Sequence, residues 1–239
     1  MAIGRTIGLV SLSVLFAGCC STFVPPPVPV TQARFMETDA PCSGKERYYI
    51  LVFASQSTPK LPRYTHTWAS VVRVKDRGPN RPVEIDCQTL SWLATDLKVE
   101  PWEMRVRPGV NLALHPTLEA VRAQGERVAL WGPYEIDVDL YRRVLAQKAF
   151  LESGKIGYQA LDSLGEAGCN DNARNCIHAL TDADERFGQP LWGSGETVTE
   201  SIVKHLADQG ALIDPARTHV WLIPALGLDA YPIIRHGPP

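Results

Sequence analysis

The chain has 239 residues, with 24 Lys and Arg against 26 Asp and Glu, a formal net charge of −2 and basic residues scattered along its length. That balance leaves no electrostatic footprint for nucleic acid, so any membrane role has to come from an anchor. Apart from its N-terminal segment, the chain is long enough for one domain that buries a real core without relying on disulfides.

The start MAIGRTIGLVSLSVLFAGCC has one positive charge, Arg5, an uncharged and mostly apolar run from Thr6 to Ala17, and small residues before Cys19. This is the order of a cleaved export signal over residues 1–18. The run is shorter than the roughly 20 residues that a permanent transmembrane helix needs. Phe16-Ala17-Gly18-Cys19 resembles the lipobox of bacterial lipoproteins, with Phe16 in place of the usual leucine and Cys20 as a second candidate. The resemblance implies lipidation of Cys19 and an exported protein anchored in the bacterial cell envelope. The alternative is a secreted protein whose two N-terminal cysteines are merely adjacent. Residues 19–45 read as a tether, because Pro25-Pro26-Pro27 and Pro29 exclude helix and central strand. Residues 46–239 read as the folded domain.

Tyr48 to Ala54 (YYILVFA) has the composition of a buried strand, and Thr65 to Val74 (THTWASVVRV) reads as a second. The punctuation of KDRGPNRP predicts a hairpin into a third, Val83 to Asp86. A short helix is expected over Pro116 to Gln124 and a strand over Arg127 to Ile136. Asp137 to Glu152 gives the clearest helix, with Leu140, Val144, Leu145 and Leu151 on one face, Asp137 as its cap and Gly154 after it. Helices follow near Asn175 to Phe187 and Thr197 to Gln209. His219 to Pro224 and Tyr231 to Ile234 return to strand-like composition. Strands, then helices, then strands predict an α+β fold with a small antiparallel sheet packed against helices.

Four cysteines lie outside the export signal: Cys42, Cys87, Cys169 and Cys176. In an oxidising compartment they can form two disulfides, and Cys169 with Cys176 is one pairing that the intervening loop allows. Cys176 also opens a predicted helix, where unpaired N–H groups and the helix dipole favour thiolate. These two readings compete. A cysteine nucleophile needs an imidazole to take its proton and a polar group to orient that imidazole. His66 opens the second strand, and Glu84 and Asp86 lie on the strand expected beside it, where cross-strand side chains stand about 5 Å apart.

His66 on a strand of a small sheet, the segment Tyr158-Gln159-Ala160-Leu161-Asp162, and Asn175-Cys176-Ile177-His178 heading a helix together resemble the circularly permuted NlpC-type papain-like superfamily. That group includes the lecithin retinol acyltransferase-like and YiiX-like proteins, and the match covers roughly residues 48–187. The resemblance implies Cys176 as nucleophile, His66 as base, and Glu84 or Asp86 as the orienting group. His178 matches the second histidine of the motif, without a catalytic task, since positions two apart on a helix face different ways. Residues Cys87 to Gly125 form an insert beyond the compact family pattern.

No HExxH or CxxC spacing links His115, His178, His205, His219 and His236, so neither a metal nor a cofactor is expected. The tryptophans 68, 92, 102, 131, 192 and 221 read as core or groove walls. Ser194 lacks the GxSxG elbow and reads as a loop residue. Two functions follow as expectations. One is an envelope-anchored cysteine hydrolase or acyltransferase acting on an amide or ester acyl group of a peptide or lipid-type substrate, with peptidoglycan peptides the natural guess. The other is a non-catalytic envelope lipoprotein that binds or supports.

Overall fold

The first strand explains the architecture. In the computed structural model, which describes residues 46–78, 81–162, 172–190 and 193–239, β1 (Glu46–Gln56) is buried from Tyr49 onward. A strand covered on one face alternates apolar with polar, whereas this one is apolar throughout because helices cover both faces. Ile50, Val52 and Ala54 point to one core; Tyr49, Leu51 and Phe53 point to the other.

β2 (Thr65–Lys75) and β3 (Glu84–Leu90) add antiparallel strands on one side of β1. The hairpin tip at Pro79 and Asn80 lies outside the described residues. β4 (Trp92–Ala94), β5 (Arg107–Asn111) and α1 (Leu114–Ala123) come from the insert, and β6 (Arg127–Ile136) then pairs antiparallel with β1 on its other side. α2 (Val138–Leu151) begins where expected, with the Asp137 side chain accepting the Leu140 N–H at 2.6 Å.

β7 (Gly157–Tyr158) and β8 (Ala173–Arg174) lead into α3 (Cys176–Thr181), followed by α4 (Glu196–Asp208), α5 (Leu222–Ala225) and β9 (Ile233–His236). The main sheet runs β3-β2-β1-β6-β9, and β9 joins β6 in parallel, so the sheet is mixed and not wholly antiparallel. α2, α3 and α4 cover the face carrying Ile50 and Val71; α1 and α5 cover the face carrying Phe53 and Trp68. The fold is α+β, as expected.

Three expectations need correction. His219 to Pro224 forms a turn and α5, not a strand: Leu222, Ile223 and Leu226 are buried at helical spacing, and Pro224 has no N–H for a ladder. The helix expected to reach Phe187 stops at Thr181, and a separate 3₁₀ turn covers Glu185–Phe187, begun by the Asp184 side chain accepting the Arg186 N–H. Trp102 is not a wall at all, being 86% exposed, whereas Trp68, Trp92 and Trp131 are buried. Trp192 lies outside the described residues.

The insert contributes most of a second sheet that the sequence did not suggest, ordered β4-β5-β7-β8. Its strands approach closely: a Cβ on Gly109 would lie 2.0 Å from the Trp92 ring. Trp92 in turn donates its indole N–H to the Gly157 carbonyl at 3.3 Å. Only Ser91 separates β3 of the first sheet from β4 of the second. β8 of the second sheet runs through Asn175 directly into α3. The junction of the two sheets therefore brings together the start of β2, Ser91 and the start of α3.

Candidate active site

Cys176 occupies the first position of α3 and carries a free thiol. Asn175 caps this helix: its Oδ1 accepts the Ile177 and His178 N–H groups, each at 2.8 Å. The Cys176 and Ile177 amides at this helix start also favour the thiolate. The backbone N–H of Thr67, from the stretch of β2 beyond its last β3 pair at Ala69 and Leu90, stands close enough to the sulfur to favour its thiolate. Amides from two different elements, β2 and α3, thus act on the charge of one sulfur.

His66 immediately precedes Thr67. It is 2% exposed, and its ring stacks on Trp68 with centroids 5.1 Å apart; Trp68 in turn stacks on Phe53. The Nε2 atom of His66 lies 2.8 Å from the Ser91 hydroxyl, while Nδ1 is buried with no hydrogen-bond partner. The ring belongs to the sheet face under α1, whereas α3 packs by Ala179 and Leu180 on the opposite face. The link between Cys176 and His66 is therefore the backbone of β2 at Thr67, with α3 and the His66 ring on opposite faces of the sheet. His66 is a core residue.

Glu84 and Asp86 do not orient His66. Antiparallel register sets Glu84 opposite Lys75 and Asp86 opposite Arg73, at the far end of β2 from His66. Glu84 pairs with Arg77, and Asp86 lies 3.8 Å from Arg73 and accepts the Gln88 side chain. The group beside His66 is Ser91, which no motif signalled.

Electrostatics hold this site neutral. Burial pushes the Cys176 thiol up to about 11; the nearby Asp162 charge adds to the rise, and the Thr67, Cys176 and Ile177 amides oppose it. Burial lowers His66 to about 3. The thiolate expected from the helix dipole is outweighed by desolvation, because a six-residue helix offers little dipole to the thiol of this half-buried cysteine. Iodoacetamide should therefore alkylate Cys176 about tenfold more slowly at neutral pH than an unperturbed thiol, after allowance for the greater nucleophilicity of a more basic thiolate. The rate should keep rising above about pH 9. Peptide mass spectrometry at Cys176 measures it, and a plateau below that pH would contradict the burial argument.

A second cluster, also missed from the sequence, lies on the other side of Cys176. Asp162 accepts from the Asn175 backbone and side chain and from His178, and its hydrogen bond is the main cause of a raised His178 pKa. Tyr158 in β7 feels the Cys176 charge, and Arg107 lies over its ring at 5.7 Å. A cleft of about 460 Å³ lies between the Arg63-Tyr64 turn and the Asp96 to Glu100 loop, and neither Cys176 nor His66 lines it.

Cys169, Cys42, the signal of residues 1–18 and the lipidation candidate Cys19 lie outside the described residues. Among the described residues no cluster of His, Cys, Asp and Glu could hold a metal ion, and no helix is long and apolar enough to cross a membrane. No protein-family model, curated protein or solved structure matches this chain.

Proposed function

We propose that the chain is a thiol-dependent acyl-transfer enzyme, a hydrolase or acyltransferase of the permuted papain-like kind, with Cys176 as nucleophile and His66 as base. The observation that carries this reading is the arrangement around Thr67. The Thr67 amide, one residue along β2 from His66, favours ionisation of a free thiol at a helix start, while His66 Nε2 is held by Ser91 and Nδ1 is buried without a partner. One nitrogen held and the other vacant is what a general base requires, since the held nitrogen fixes the tautomer and ring angle.

In this mechanism Cys176 attacks the carbonyl carbon of an ester or amide while its S–H proton passes to His66 Nδ1. The carbonyl electron pair moves to oxygen, where the Thr67 and Cys176 N–H groups stabilise it. Collapse of that intermediate expels the alcohol or amine, which takes the proton from Nδ1 and leaves an S-acyl Cys176. Water or a second acceptor then releases the acyl group by the reverse proton path. Because thiol and imidazole both rest neutral, proton transfer and attack occur together and no preformed ion pair takes part. Ser91 replaces the acids Glu84 and Asp86 as the orienting group.

The substrate class is an acyl ester or amide of the cell envelope, peptide or lipid in type. The resemblance of Phe16-Ala17-Gly18-Cys19 to a lipobox supports that location. A labelled fatty acid should be incorporated by the parent and lost in Cys19→Ser; label that persists would contradict Cys19 as the attachment point. The enzyme reading is tested by mixing the protein with a nitrophenyl ester and looking for an acyl adduct on the Cys176 peptide. A second reading, a non-catalytic envelope lipoprotein, is favoured by one observation, the burial that holds both Cys176 and His66 neutral. It predicts no adduct.

A further inference from the structure

We propose that Asp162 and His178 are positioning residues for Cys176: the Asp162 carboxylate pins both sides of the helix start that bears the thiol, and the His178 ring cancels the Asp162 charge beside it. The inference rests on Cys176 as the reacting group, and it goes beyond the nucleophile, base and orienting serine.

The geometry is unusually complete for one carboxylate. Asp162 is 2% exposed, a position in which an unpaired charge is strongly unfavourable. Its Oδ2 accepts the Asn175 backbone N–H at 2.8 Å, and its Oδ1 accepts the Asn175 side-chain amide at 2.9 Å. Both oxygens stand 2.7 Å from His178 Nδ1. Asn175 and His178 flank Cys176 in sequence, so one buried group fixes the chain on either side of the thiol. Asn175 then passes this order into the helix through its two capping bonds.

The same arrangement has an electrostatic consequence. A carboxylate bonded to the residue next to a thiol opposes ionisation of that thiol. His178 keeps a side-chain exposure of 25%, so it exchanges protons with solvent while Asp162 does not. When the ring is charged, the pair is neutral as seen from the sulfur. Arg174 and Asp182 stand near His178 and pair with each other, which leaves Asp162 as the anion that His178 offsets. A purely structural network would hold the helix start without any sign to its effect on the thiol.

That sign is the test. Iodoacetamide labelling of Cys176 is measured at about pH 6, below the ordinary imidazole value so that the raised His178 is charged, without substrate, in the parent and in two variants whose folding is checked by thermal melting. Asp162→Asn keeps an acceptor for Asn175 and removes the charge, so Cys176 should react about three- to tenfold faster. His178→Gln keeps a donor for Asp162 and removes the cation, so Cys176 should react more slowly by a similar factor. Opposite shifts support the pair; shifts of the same sign, or none, overturn it. If Asp162→Asn does not fold, His178→Gln decides alone: slower labelling supports the proposal, and unchanged or faster labelling overturns it. The outcome is separable from the enzyme reading, since a missing acyl adduct in the parent would remove catalysis while leaving these labelling rates measurable.

Discussion

Replacing His66 by Gln should lower acyl transfer by about 10²- to 10⁴-fold, the usual contribution of a positioned general base. Gln is the informative substitution because it can still bond to the Ser91 hydroxyl yet cannot accept and return a proton. The effect should fall on kcat more than on KM, since His66 is buried behind Trp68 and its role is confined to the proton path. Cys176→Ala should abolish the reaction outright. Ser91→Ala should cost less, because it frees the ring without removing the base. Activity of His66→Gln within a few-fold of the parent would exclude His66 from the mechanism and move the base elsewhere.

The largest loss of stability is expected at Trp68. Its ring is wholly buried, stacked between Phe53 at 5.1 Å and His66 at 5.1 Å, and it belongs to the core under α1 and α5. Trp68→Ala removes this apolar area and leaves a cavity that strands on both sides prevent from closing, a change worth about 3–5 kcal/mol. The urea midpoint should fall accordingly with little change in slope. Trp68→Phe should recover most of the stability and keep an aromatic surface under His66. If Trp68→Ala costs less than about 1 kcal/mol, the stacked column does not anchor the base-bearing end of β2.

Much of the fold could be read directly from the sequence. β1 stands out because helices cover both of its faces, leaving a continuous apolar run, β2 shows through its β-branched residues, and α2 is bracketed by Asp137 and Gly154. The second sheet could not be read, since β7 and β8 are two residues each and β5 contains Pro108-Gly109; periodicity has nothing to act on there. HVWLIP misled because its apolar spacing fits a strand and a short helix equally well.

The candidate site divides in the same way. Cys176 and His66 were visible as a thiol at a helix start and an imidazole on a strand. Ser91 and Asp162 were not, because a single serine or aspartate among apolar neighbours carries no pattern; their roles come from where two sheets and a helix meet. The error over Glu84 and Asp86 was one of direction. A hairpin after Lys75 pairs the beginning of β3 with the end of β2, so extending that register towards His66 leads past Leu90 to the Ser91 junction. Proximity in sequence to a neighbouring strand is therefore no substitute for its register.

The account stands most directly on the fate of the Cys176 sulfur. Protein mixed with a nitrophenyl ester, quenched in acid and digested, should yield the Cys176 peptide carrying one acyl group. That adduct should be absent in Cys176→Ala and strongly reduced in folded His66→Gln, with nitrophenol released in proportion. An unmodified Cys176 peptide, or equal acylation with and without the His66 imidazole, would contradict the thiol–imidazole mechanism and leave the non-catalytic envelope protein as the better reading.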